Sequence, residues 1–162
     1  MKKNLALLIL LGAALLGLAA GNAYADLLTS AVRQTFATNV TSTFGSTTII
    51  PINDAGNTSL NFTVAGNQPV LIAFNADCLV DTAGTALAVE ILVDGTPAPG
   101  TGAGSGGSLL CGSNDGFVAA VRNVVPVVSA GTHVIQVRVA IFSSSAGTYT
   151  AKLRRTVLTV ET

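Results

Sequence analysis

Towards its C-terminal end the chain reads Gly131-Thr132-His133-Val134-Ile135-Gln136-Val137-Arg138-Val139-Ala140-Ile141. Ile135, Val137, Val139 and Ile141 fall on alternate positions, with Gln136 and Arg138 between them. A period of two is that of a strand, whose successive side chains point to opposite faces. Shorter alternating runs recur outward from this one. Leu60, Phe62 and Val64 alternate with Asn61 and Thr63, and Leu87, Val89, Ile91 and Val93 alternate around Glu90. Phe117 to Arg122 repeats the pattern, as do Tyr149, Ala151 and Leu153, and a last run covers Val157 to Glu161. Thr-rich Val32 to Phe44 and Ser46 to Ile52 supply the opening strands. Val70 to Ala76 is almost wholly apolar and predicts a central strand covered on both faces. Val124 to Val128 is interrupted by Pro126, which suits an edge or a bulge.

Turn chemistry separates these runs. Asn53-Asp54-Ala55-Gly56-Asn57, Ala65-Gly66-Asn67-Gln68-Pro69, Asp94-Gly95, Ser129-Ala130-Gly131 and Ser143 to Gly147 carry the residues that turns demand. The result is eight or nine strands and no helical periodicity after residue 26. That predicts an all-β fold: an antiparallel two-layer β-sandwich, jelly-roll-like.

The N-terminal segment reads differently. Lys2 and Lys3 precede an apolar run from Leu5 to Ala20, and Ala23-Tyr24-Ala25 places small residues where a signal peptidase reads them. Residues 1–25 are expected to be a cleaved signal peptide, with the cut between Ala25 and Asp26, and residues 26–162 a single domain. No later apolar run is long enough to span a bilayer, so no stable membrane span is expected after cleavage. The expected location is secreted or periplasmic.

Cys78 and Cys111 are the two cysteines. An even number in an exported chain predicts a disulfide. Two thiols this far apart, with a single histidine, make a poor zinc set. Closing a loop of about 33 residues stabilises by roughly 3–4 kcal/mol in the chain-entropy model.

Composition narrows the function. The chain has eight basic and eight acidic residues, and removing Lys2 and Lys3 leaves the mature part slightly acidic. A nucleic-acid partner is not expected, because phosphate neutralisation needs clustered positive charge. Thr96 to Gly107, rich in Gly, Ala, Thr, Ser and Pro, is expected to be a flexible surface loop. Within it Gly102-Ala103-Gly104-Ser105-Gly106-Gly107 has the spacing of a dinucleotide fingerprint, but no helix pattern follows to receive a pyrophosphate.

Ala130 to Arg138, Ala146-Gly147-Thr148-Tyr149-Thr150-Ala151 and Arg155 to Val160 resemble the closing strands of C1q/TNF-like jelly rolls and of small sandwich domains on phage and bacterial surface proteins. Val89 to Gly95 resembles their mid-domain strand and turn. The likeness spans about half of the mature chain. It implies a jelly roll, often trimeric, that acts by binding, and it carries over no functional residue.

His133 is the sole imidazole, so any triad would have to use it; beside Thr132 it reads as a strand-end surface residue. Asp77 and Asp81 flank Cys78 and Asp115 follows Cys111, so the disulfide would gather three carboxylates. These are the candidate calcium ligands, with Asn114 and loop carbonyls to help; turn-forming through side-chain–backbone bonds is their ordinary role. The same three could form a hydrolase centre. Arg122, Arg138, Lys152, Arg154 and Arg155 read as solvated strand-face charges that discourage edge pairing. No catalytic residue and no cofactor other than calcium is assigned.

The expected function is therefore that of an exported, non-enzymatic binding or structural domain acting by surface contact, oligomeric, in adhesion or extracellular assembly. Its partners would be itself, another surface protein or a glycan. The alternatives are a carbohydrate-binding module and a pilus or fibre subunit, with the segment Thr29 to Thr43 as donor strand. Intact-mass measurement of the exported protein should give a chain that begins at Asp26.

Overall fold

The computed structural model describes residues 26–34, 38–43, 46–101, 109–113, 116–143, 145 and 147–162. Regular structure in these residues is β throughout. The strands are β1 (Leu27–Arg33), β2 (Thr38–Thr43), β3 (Thr47–Ile49), β4 (Leu60–Val64), β5 (Gln68–Pro69), β6 (Leu71–Val80) and β7 (Thr85–Val93). They continue with β8 (Thr96–Pro97), β9 (Leu109–Gly112), β10 (Val118–Val124), β11 (Val127–Val128), β12 (Gly131–Ser143) and β13 (Thr148–Glu161).

Two antiparallel sheets face each other. In the first, β13 pairs β6, β6 pairs β10, and β1 and β2 share the other side of β13. In the second, β12 pairs β7; β3 and β4 lie along the far side of β12, and β8 and β9 along the far side of β7. Treat β1/β2 and β3/β4 as split strands and set aside the two-residue pieces. The strands then stand first–eighth–third–sixth in one sheet and second–seventh–fourth–fifth in the other. That order is the jelly roll.

Alternation fills the space between the layers. From β6 the inward residues are Ile72, Phe74, Ala76, Cys78 and Val80; from β7, Leu87, Val89 and Ile91. From β12 they are Ile135, Val137, Val139 and Ile141, and from β13 Ala151, Leu153, Leu158 and Val160. Hydroxyl pairs help hold register at the margins: Thr63 and Thr132 meet at 2.9 Å between β4 and β12, and Thr41 and Thr150 at 3.2 Å between β2 and β13. Asp94 and Gly95 adopt φ 52° and 78°, the doubly left-handed turn an Asp-Gly hairpin requires.

Several expectations need correction. Tyr149 to Leu153 and Val157 to Glu161 are one strand, β13. Arg154 stands opposite Asp77 and Val157 opposite Asn75, so β13 carries one extra residue there. Arg155, at φ 48°, absorbs it as a bulge. The insertion shifts the inward set from 151 and 153 to 156, 158 and 160, so the sequence reads as two strands out of phase. The strand buried on both faces is β7, whereas β6 alternates buried with half-buried. Val32 to Phe44 divides into β1 and β2, which pair with the two sides of the bulge. Thr29 to Arg33 and Thr38 to Thr43 of the expected donor segment are thus already paired in their own chain. Thr96 to Thr101 is ordered: β8 pairs β7, and buried Thr101 donates its hydroxyl to Ala98 O at 2.7 Å. Residues 102–107 of that loop lie outside the described residues, as do residues 1–25.

Cys78 and Cys111 form the disulfide. It ties β6 of one sheet to β9 of the other, with both cysteines buried. Replacing both by Ala should lower unfolding free energy by roughly 3–4 kcal/mol, read from urea denaturation; a loss under about 1 kcal/mol would show that the denatured chain is already constrained.

Candidate functional site

The most connected polar cluster lies at one end of the second sheet. The β7–β8 hairpin turns at Asp94, whose carboxylate comes back onto the first residues of β12. Asp94 Oδ1 accepts from Val134 N at 2.9 Å, and Oδ2 lies 2.7 Å from His133 Nδ1. His133 Nε2 is 2.9 Å from the main-chain oxygen of Ser129. A carbonyl oxygen can only accept, and so can a carboxylate. The doubly protonated ring therefore satisfies both contacts, and the neutral ring only one. Phe62 of β4 lies against it, with ring centroids 5.3 Å apart.

His133 is thus buried, at 7% exposure, rather than a strand-end surface residue. Strand parity turns its side chain inward with Ile135 and Val137, and the two acceptors make that burial tolerable. The Asp94 hydrogen bond raises the His133 pKa above the ordinary histidine value; the Ser129 carbonyl adds to this and burial opposes it. The bond from His133, then that from Val134, lowers the Asp94 pKa below the ordinary carboxylate range.

A cavity of about 300 Å³ opens beside the pair, walled by Pro97, Pro99, Pro126 and Val127. Its chemistry is limited. In the protonated ring both nitrogens are engaged as donors, to Asp94 and to the Ser129 carbonyl. The His133 side chain fastens the β7–β8 turn to the β11–β12 turn.

The carboxylates flanking Cys78 are engaged on the outer face of the first sheet. Asp77 Oδ2 accepts from Arg154 Nε at 3.1 Å and from Arg155 Nε at 2.6 Å. Asp81 lies 3.8 Å from Lys152 Nζ. Asp115, the third candidate calcium ligand, lies outside the described residues. Among the described residues no group of three His, Cys, Asp or Glu side chains could hold a metal ion. A cation at Asp77 would have to displace two guanidinium groups.

The basic residues are not simply solvated. Arg154 stacks over the Phe117 ring at 3.8 Å, and Arg138 pairs with Glu90, which is buried. Arg122 donates to Gly100 O. Sequence reading missed the Asp94–His133 pair, because Asp94 already had a role in its turn and the two are 39 residues apart.

No protein-family model matches the chain, and no curated protein sequence does either. Solved structures do. The VP2 subviral particle of infectious bursal disease virus aligns with TM-score 0.59 and 16% identity over 86% of this chain and 33% of that one. T=1 particles derived from the same virus align at 0.57 with 12% identity, over 86% and 32%. The Gx strain of the virus gives 0.55 and 13%, over 85% and 33%. The chain spans about a third of the length of these proteins, and at such identities the likeness establishes the fold alone.

The histidine contribution to stability is fully present below the ordinary histidine pKa of about 6.5. It fades as pH rises through the higher folded value. The Asp94 contribution is present above the ordinary carboxylate range and fades as pH falls through its lowered value. His133→Phe should therefore lower Tm more in mildly acid than in alkaline buffer, with a loss of unfolding free energy of about 1 kcal/mol at the acid end. Equal Tm losses across the range, in a thermal-melt series, would contradict an imidazolium there.

Proposed function

We propose that this chain is an exported, non-enzymatic jelly-roll subunit that works by surface contact and associates with its own kind. The observation that carries this reading is the outer face of the first sheet. Register aligns Val121, Asn75, Val157 and Val32 in one row across β10, β6, β13 and β1. The next row is Asn123, Ala73, Thr159 and Ser30. Neither row holds a charge. Ionic residues begin only beyond them, at Asp77 and Arg154 on one side and Glu161 on the other.

A sheet face turned to water ordinarily alternates apolar-in with polar-out, and charged side chains guard it against further pairing. Here the outward positions are small, uncharged or aliphatic, with Val121 59% and Val32 39% exposed. Val125 and Val127, at 61% and 75%, extend the apolar surface past the end of β10. Such a face can meet a copy of itself without stripping water from charges. The likeness of Ala130 to Arg138 to C1q/TNF-like domains, and the particle-forming VP2 neighbours, support the same reading.

The signal-like residues 1–25 and the cysteine pair support an oxidising destination, periplasmic or extracellular. A glycan partner draws less support. Tyr149, the one tyrosine after residue 25, has its hydroxyl bonded to Ser145 O at 2.9 Å. Its ring lies against Gly147, so it offers no open stacking platform.

Light scattering after size exclusion tests the proposal on residues 26–162. The wild type should run as an oligomer, and Val121→Lys combined with Val32→Lys should run as a folded monomer. Both positions are exposed, so the change in unfolding free energy should stay within about 0.5 kcal/mol each. A wild-type monomer at high concentration would defeat the proposal.

A further inference from the structure

A sheet edge is where a β-sandwich is open to another chain, because an edge strand shows unpaired main-chain donors and acceptors along one side. Among the described residues, three of the four edges are divided into two pieces. β1 and β2 share one side of β13, β3 and β4 one side of β12, and β8 and β9 one side of β7. β10 alone forms the fourth edge, an unbroken run of 7 residues paired to β6. Its sequence, Val-Ala-Ala-Val-Arg-Asn-Val, is mostly apolar, with Val118 43% and Val121 59% exposed. An apolar edge of that kind is a template for strand addition.

The charged residue in β10 is Arg122, and it stands in an unusual place. Register sets Arg122 opposite Phe74 of β6, Phe74 opposite Leu158 of β13, and Leu158 opposite Ala31 of β1. Phe74, Leu158 and Ala31 are buried, so this row faces the core and Arg122 is its last member at the rim. Ala120 and Val124, two residues to either side, are buried as well. A permanent cation therefore occupies an inward position of an edge strand. The side chain is half-buried, and its Nε is enclosed without a hydrogen-bond partner. Its Nη2 donates to Gly100 O, in the segment that follows β8 of the other sheet. That segment is pinned from its own side by Ala98 N to Ile91 O at 2.8 Å and Thr101 N to Ala98 O at 3.1 Å. A strand added along β10 would set its own inward side chain beside Arg122 and cover the guanidinium. Burying a charge that has no counter-charge is strongly unfavourable.

We propose that Arg122 closes the β10 edge to strand addition, its guanidinium held at the rim by Gly100 O. The partner it excludes is an extended strand, whether from a second copy or from another chain. The same contact latches the 98–101 segment of the second sheet to the first. The guard does not rest on the face-to-face association proposed above, since a monomer needs it as much as an oligomer does.

Arg122→Val in residues 26–162 tests it. Light scattering over time should show the variant growing without a fixed end size, with rising thioflavin T fluorescence, while wild type keeps its size. Arg122→Lys should also keep its size, because the charge stays. Adding Val32→Lys, which charges the far end of the outer row, should not stop the growth of Arg122→Val. Before growth sets in, main-chain amide exchange at Ala98 and Thr101 should be about tenfold faster in Arg122→Val, since a hydrogen bond from a charged donor is lost. Should Arg122→Val fail to fold, Arg122→Gln, which is neutral, carries the comparison and should grow likewise. A folded neutral variant that keeps the wild-type size at high concentration would overturn the proposal, as would unchanged exchange at Ala98 and Thr101 in Arg122→Val. Growth in Arg122→Lys would overturn it by assigning the effect to packing rather than charge. Growth abolished by Val32→Lys would do so by placing the contact on the sheet face.

Discussion

Two pleated layers stay together only if their inward residues fall into one shared layer. Each fully buried Val, Leu, Ile or Phe side chain contributes about 1.5–3 kcal/mol on leaving water. Phe74, Ile72, Leu87, Ile91, Ile135, Ile141, Leu153 and Leu158 are all fully buried. An exposed ion pair such as Lys152–Asp81 contributes about 0–1 kcal/mol at best. The balance explains how a chain with 10% charged residues holds its shape. It also lets two rows of the outer face of the first sheet, through Asn75 and Ala73, go without a charge.

The same constraint explains the β13 bulge. Without the extra residue, the phase that buries Ala151 and Leu153 would turn Leu158 and Val160 to solvent. Arg155 takes a backbone conformation unusual for its type, and both halves of the strand then reach the core. The bulge also divides the edge into β1 and β2, and it leaves Thr156 buried.

The architecture was readable wherever periodicity was unbroken. β4, β7 and β12 stand where Leu60–Val64, Leu87–Val93 and Ile135–Ile141 placed them, and the Asp94-Gly95 turn has the expected handedness. The disulfide was readable because two cysteines allow one pairing. Errors arose where a local pattern had two causes. A phase change in β13 looked like a strand break. The apolar run at Val70 to Ala76 looked doubly covered, although its half-buried positions are small or polar ones such as Ala73 and Asn75. Thr96 to Thr101 has loop composition, but one buried threonine hydroxyl fastens it.

The polar clusters were largely hidden. His133 depends on Asp94 and Ser129, and Asp77 on two arginines far along the chain. Pairings of that range follow from sheet order, which periodicity does not encode. Composition could name His133 as the sole imidazole, but not that its ring nitrogens would both be occupied.

Asp26 and Thr162 exchange main-chain hydrogen bonds at 3.1 Å, so β1 and β13 begin and end side by side. Tension applied at these two residues would not load the ladder in parallel. It would peel β1 from β13 one rung at a time, starting from Leu27 and Glu161, at low force. The covalent clip between Cys78 and Cys111 lies in the interior of the chain, so peeling would release the flanks while the region between the cysteines stayed looped. A filament that must bear strain would be better joined through its sheet faces than through its ends.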